Sequence, residues 1–315
     1  MRSEQPLLLI NVVGLTPSLL GEATPQINAL LKTAKMASLQ PVFPAVTSTV
    51  QASILTGAPP SQHGIVGNGW YFRDQAEVRF WLQPNALIQG EKVWHTLKRE
   101  MPGFRCSQLF WWYNMYADVD ASITPRPHYP ADGRKQFGLY SSPPGLHEQI
   151  EAQIGEFPFH GFWGPAAGIA SSRWIVECAM AEFQISRPHL QLIYLPHLDY
   201  SLQRVGPEHP SIADEVRAID HEVGRLLAFA EAQGAAVMLL SEYGIEAVAQ
   251  SVSINRVLRA EGLLQVRQSL SWELLDPGAS AAFAVADHQV AHVYVKHAQD
   301  IPRVKALLQR QPGIE

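Results

Sequence analysis

Residues 6–13, Pro-Leu-Leu-Leu-Ile-Asn-Val-Val, form a continuous apolar run that stops at Gly14. A strand so poor in polar positions has no face to offer water and must be covered on both sides. That requirement selects a mostly parallel sheet with helices packed against each face. Further strands are expected around residues 36–42, 105–110, 191–195 and 236–240, with helices between them at 91–99, 169–184 and 212–232. An early helix at 25–32 opens with Thr24 as cap and Pro25 in its first turn. Within 212–232, Ile212, Val216, Ile219, Val223, Leu226 and Leu227 recur at the helical period. In such sheets chemistry sits beyond the carboxyl ends of the strands. Gly14, Thr47, Asp199 and Glu242 fall there in this reading.

The chain has 315 residues, 47% of them hydrophobic and 17% charged, enough for a large α/β core. A net charge of −5 argues against a dedicated nucleic-acid-binding surface. Cys106 and Cys178 are the only cysteines, which excludes a disulfide framework and a cysteine-rich zinc site. The first six residues lack the basic start of a signal peptide, and the apolar stretch 7–10 is too short for its core. No apolar run approaches the roughly 20 residues needed to span a bilayer. The expectation is a cytoplasmic protein without a membrane partner; the sequence leaves its oligomeric state open.

Two segments differ from the alternating pattern. Residues 111–165 are rich in aromatics and proline and read as an irregular excursion, either lining a substrate pocket or forming a satellite hydrophobic cluster. From about Gly262 two strands and a helix read as a partial α+β cap that stops where its next strand would begin. The expected division is therefore a core over 1–261 and a partial cap, truncated at its C-terminus, over 262–315.

The most specific stretch is Phe43-Pro-Ala-Val-Thr47-Ser-Thr-Val-Gln-Ala-Ser53-Ile-Leu-Thr56-Gly57, continuing through Pro60 to His63-Gly64-Ile65-Val66-Gly-Asn68. It reads as a loop that delivers a threonine hydroxyl to the start of a helix, where the dipole favours a phosphate or a developing alkoxide. On residue types alone, the Thr-Ser-Thr run before an apolar helix reads as a helix cap. The offsets resemble the nucleophile loop of the nucleotide pyrophosphatase/phosphodiesterase (type I phosphodiesterase) family of the alkaline phosphatase superfamily. The resemblance implies an alkaline phosphatase-like three-layer α/β/α sandwich and a catalytic role for Thr47. His63 reads as a structural hydrogen-bonding residue.

The resembled family binds two divalent metals, typically zinc. One site uses an Asp, a His four residues later and a second His near the C-terminus. The other uses an Asp after the first strand, the nucleophilic Thr and an adjacent Asp-His pair. Here Asp199 is present, but Gln203 stands at the first histidine position, Glu242-Tyr243 replaces Asp-His, and Val13 replaces the early Asp. Asn11, on the strand face of Val13, is a weak oxygen ligand. His288 and His292 are substitutes for the last histidine, although their surroundings read as strand and turn. Asp199 and Glu242 bring only two permanent charges, so one divalent ion is expected in preference to two. Asp199, Glu242, Thr47, Gln203 and Asn11 are its candidate ligands. Zinc follows from the resemblance, magnesium or manganese from the oxygen-dominated set, and a metal-free site is the third option. Tyr243, His197 and Asn68 are candidates for substrate contact.

The sequence thus points to a metal-dependent phosphoester hydrolase of the phosphodiesterase/nucleotide pyrophosphatase type, acting on a small phosphorylated substrate through Thr47. The alternative is a non-catalytic homologue that binds a phosphorylated or aromatic small molecule.

Overall fold

The structure is a computed structural model describing residues 5–315; residues 1–4, part of the stretch read for a leader, lie outside the described residues. The chain divides into two compact units.

The first unit takes in the residues up to Ile65 together with Gln83–Ala247. Its six-stranded sheet contains β1 (Leu7–Val12), β2 (Cys106–Leu109), β3 (Ala121–Pro125), β4 (Leu139–Ser142), β5 (Leu190–Leu195) and β6 (Ala236–Leu240). The spatial order is β4-β3-β2-β5-β1-β6. Every neighbouring pair is parallel except β3 with β4. β2, β3 and β5 are buried at every residue, and β1 from its second residue onward, as strands covered on both faces must be. β1 lies between β5 and β6, with Asn11 in register with Tyr194 on one side and Leu240 on the other. The segments that leave these three strands therefore emerge side by side.

The helix Ile212–Ala232 buries Ile212, Val216, Ile219, Val223 and Leu226, as the periodicity predicts. It packs in one core with the helix Ile169–Ser186 and the central strands. The strand expected at 36–42 does not form. Pro41 and Pro44 withdraw backbone donors there, and Met36 and Leu39 are 62% and 61% exposed.

The stretch 111–165 is more regular than its composition suggests. It supplies β3 and β4 to the sheet edge and the helix Leu146–Ile154. Its aromatics Phe157 and Phe162 pack with Phe110 and Trp174 in the main core, not in a satellite cluster. Short strands carrying Ser, Thr and Pro give little apolar alternation, so the pattern there is faint.

The second unit comprises Val66–Leu82 and Val248–Glu315. It contains antiparallel pairs Gly69–Phe72 with Glu77–Phe80, Val266–Ser269 with Trp272–Leu275, and Ala282–Asp287 with Val290–Val295. The helices Ile254–Ala260 and Ile301–Leu308 add Leu258, Val304 and Leu307 to a core with Phe283 and Val285. The expected boundary at 262 falls inside this unit, which also draws in the 66–82 hairpin. Tyr71 of that hairpin sits edge-on to Phe283, with ring centroids 5.0 Å apart. His288 is in the turn of the last hairpin, and the ring of His292 meets the Val66 carbonyl at 2.6 Å.

The helix Pro25–Leu31 begins at Thr24, but Thr24 does not cap it. The Thr24 hydroxyl instead accepts from the Gly21 N–H at 2.9 Å. The cap comes from buried Asp220, whose two carboxylate oxygens accept from Gln26 N–H at 3.0 Å and Ile27 N–H at 2.9 Å. Asp220→Ala is expected to destabilise the protein by about 1–2 kcal/mol. The change should appear as a lower urea midpoint at unchanged m-value.

Candidate active site

The helix Thr47–Thr56 begins where Val46 leaves extended backbone, at φ −129° and ψ 153°. Thr-Ser-Thr-Val is a weak helical opening on propensity. Burial decides, because Thr47 through Ala52 are all buried. At the other end Gly57 takes φ +64° and its N–H bonds the Ser53 carbonyl at 2.8 Å, a left-handed exit that favours glycine. Thr47 is the first helical residue, at the positive end of the dipole.

The Thr47 Oγ1 lies 3.3 Å from the Tyr243 hydroxyl, which donates to Asp199 Oδ1 at 3.0 Å. A phenol has one proton. With that proton on Asp199, the threonine is the donor in the Thr47–Tyr243 contact. Gln203 Nε2 donates to the other carboxylate oxygen, Asp199 Oδ2, at 2.8 Å. Asp199 and Gln203 are four apart on the helix His197–Val205 and so share a face.

Glu242 is buried next to this chain of contacts. Its Oε1 accepts from Gln51 Nε2 at 3.4 Å, and Gln51 Oε1 accepts from the Trp112 N–H at 2.8 Å. Gln51 is a site residue that the sequence reading missed. Its signal was available: four residues after Thr47, it lies on the same helix face. Asn11 is fully buried on β1 beside the Glu242 carboxyl.

Burial pushes the Glu242 carboxyl well above the ordinary carboxylate range; Asn11 and Gln51 offset this in part, and Asp199 adds to it. Burial, followed by Asp199 and Glu242, likewise raises the Tyr243 phenol, so it is a proton donor at neutral pH. Tyr194, one register position from the strand end, is raised by burial and by Glu242.

Two candidates do not join the cluster. His197 was expected on the strand face of Asp199, but both lie on a helix, where residues two apart point to different sides. Its Nε2 is 2.8 Å from Glu215 Oε2. Burial lowers its pKa, with Glu215 opposing. Asn68 belongs to the second unit, where its N–H and Nδ2 donate to the Asp287 carboxylate at 2.6 and 3.0 Å. Asn68 thus holds a hairpin, and the expectation of substrate contact gains no support from its neighbours.

Gly14 brings the end of β1 close to the Asp199 helix. A Cβ there would meet Leu202 Cδ1 at 2.9 Å and stand 3.6 Å from Asp199 Cα, and its φ of +82° also favours glycine. A cavity of about 410 Å³ opens beside this contact, with Gly14, Thr16, Leu202, Pro207, Ile245 and Glu246 among its walls.

The sequence matches the family model for type I phosphodiesterase / nucleotide pyrophosphatase over residues 7–313. The chain belongs to this family. Comparison with solved structures shows the expected alkaline phosphatase-like α/β fold. A crystal structure of phosphonoacetate hydrolase from Sinorhizobium meliloti 1021 in complex with phosphonoformate superposes with a TM-score of 0.66 at 16% identity. The match covers 98% of this chain and 73% of that one. Murine ectonucleotide pyrophosphatase/phosphodiesterase 5, as an inactive variant in complex with AMP, gives a TM-score of 0.64 at 15% identity, covering 98% and 71%. No curated protein matches the sequence.

The residues at the family's metal positions do not fit its metal pair. Val13 is fully buried and carries no donor. Tyr243 and Gln203, at two of the family's three histidine positions, present a phenol proton and an amide N–H to Asp199, and both oxygens of that carboxylate are engaged by them. Among the described residues, no three His, Cys, Asp or Glu side chains are grouped to hold a metal ion. Also among the described residues, no helix is long and apolar enough to cross a membrane.

His63 has the structural role expected of it. The ring is fully buried, with Nε2 2.9 Å from Ser53 Oγ and Nδ1 accepting from the Ile65 N–H at 3.1 Å. An acceptor Nδ1 requires the neutral ring, and burial holds its pKa below the ordinary 6.5. The stabilisation is therefore fully present above pH 6.5 and is lost as pH falls through the depressed folded value. Urea midpoints measured from pH 7.5 down to pH 5 should decline, and His63→Gln should flatten that slope.

Proposed function

We propose that this protein is a phosphoester hydrolase in which Thr47 is the nucleophile. The observation that carries this reading is the chain of contacts Thr47–Tyr243–Asp199 at a helix start, in a member of a hydrolase family. In the scheme, Thr47 Oγ1 bonds to phosphorus as the bond from phosphorus to the leaving oxygen breaks. The threonine proton passes to the Tyr243 oxygen while the Tyr243 proton passes to Asp199. Glu242, kept protonated by burial, gives its proton to the departing oxygen. Water then attacks the phosphothreonine and returns a proton to Glu242, while Asp199 and Tyr243 return one to Thr47. The dipole of the Thr47–Thr56 helix favours the charge on the transferred group. No metal enters this scheme, because the donor set does not suit one.

A small phosphorylated or phosphonylated molecule is the substrate class. The Sinorhizobium enzyme is seen with phosphonoformate and phosphonoacetate, and the murine protein with AMP. The murine variant described as inactive exchanges a threonine for alanine.

A second reading, a binding protein without turnover, draws on the burial of Thr47, which is 3% exposed. Hydrolysis of a chromogenic phosphodiester separates the two. The hydrolase reading expects turnover that Thr47→Ala reduces on the order of 10³-fold or more. Absence of turnover in the unaltered protein, with saturable AMP binding by calorimetry, would establish the binding protein instead.

A further inference from the structure

The family's metal positions and the hydrogen bonds at Asp199 conflict, and the geometry resolves the conflict in one direction. The single divalent ion expected from the sequence, with Thr47 and Asp199 both among its ligands, needs a place between their oxygens, at about 2.0–2.2 Å from each. The Tyr243 hydroxyl oxygen occupies that place, 3.3 Å from Thr47 Oγ1 and 3.0 Å from Asp199 Oδ1. These are hydrogen-bond separations, and the phenol brings a proton where an ion would bring charge. Gln203 closes the other side of the carboxylate through its amide nitrogen. The early acidic position is Val13, which lies in the core.

We infer that Tyr243 and Gln203 replace the family's metal at Asp199, so that the nucleophile and the carboxylate are joined through a phenol proton in a site that binds no divalent ion. Length makes Tyr243 suited to this. Its hydroxyl reaches across the gap, whereas an imidazole at the same position stops short and leaves room for an ion about 2 Å from nitrogen. Asp199 is satisfied here by two hydrogen bonds, one from the phenol and one from the amide.

The inference concerns what holds the site together and is tested without substrate, so its failure is separable from failure of the hydrolase reading. The full chain is dialysed against zinc, magnesium or manganese chloride in turn, then freed of loose metal and assayed by elemental analysis. Its thermal midpoint is recorded with and without chelator. The unaltered protein is expected to retain less than about a tenth of an equivalent of each ion, with no change in midpoint on chelation. Tyr243→Phe is expected to remain metal-free and to melt roughly 2 °C or more lower, since Asp199 loses a donor. Gln203→His combined with Tyr243→His is expected to gain about one zinc per chain and a zinc-dependent rise in midpoint. Stoichiometric metal in the unaltered protein, or a midpoint that falls on chelation, would overturn the inference. So would a Tyr243→Phe protein as stable as its parent, since the phenol would then be holding nothing.

Discussion

The hydroxyl of Tyr243 joins three pieces of chain that are far apart in sequence. It rests on the turn after β6 and contacts the first residue of one helix and the first turn of another. The sheet makes this meeting possible. With β1 between β5 and β6, the exits of the strands are neighbours, and only short side-chain reaches are needed to close the gap. Every chemical property assigned to the site follows from that closure, including the buried state of Glu242 and the orientation of the Thr47 proton.

Electrostatics explain how two acids coexist in so little space. Asp199 accepts from a phenol and an amide, one at each oxygen. Glu242 has one long contact to Gln51, and burial pushes its carboxyl well above the ordinary carboxylate range. Environments that separate two carboxyl groups in this way suit one as acceptor and the other as donor. The second unit takes no part in this account; its buried acid, Asp287, is devoted to Asn68.

Much of this was legible in the residues. The run at 6–13 dictates a two-sided strand, the period in 212–232 dictates its helix, and the Phe43–Asn68 offsets point to the family that the chain belongs to. Asp199, Gln203, Glu242 and Tyr243 were located by their register. Their mutual bonds were not, because the direction in which a glutamine or tyrosine points depends on packing across the sheet. His197 was misplaced by treating the residues after β5 as strand, when Pro196 starts a helix. The strands β3 and β4 escaped notice because Ser, Thr and Pro blur the apolar alternation. Asp220 escaped for a simpler reason: a cap supplied from 194 positions away leaves no local mark.

Gly14 carries a lesson about mutational tolerance. Its bare α-carbon sets how near the first strand may come to the backbone at 199. Any larger residue would press on Leu202, tilt that helix and lengthen the reach demanded of the phenol. Drift in sequence should therefore be accepted readily at the neighbouring side chains, which can be exchanged within an unchanged frame, and refused at this single position, where the frame itself would have to give.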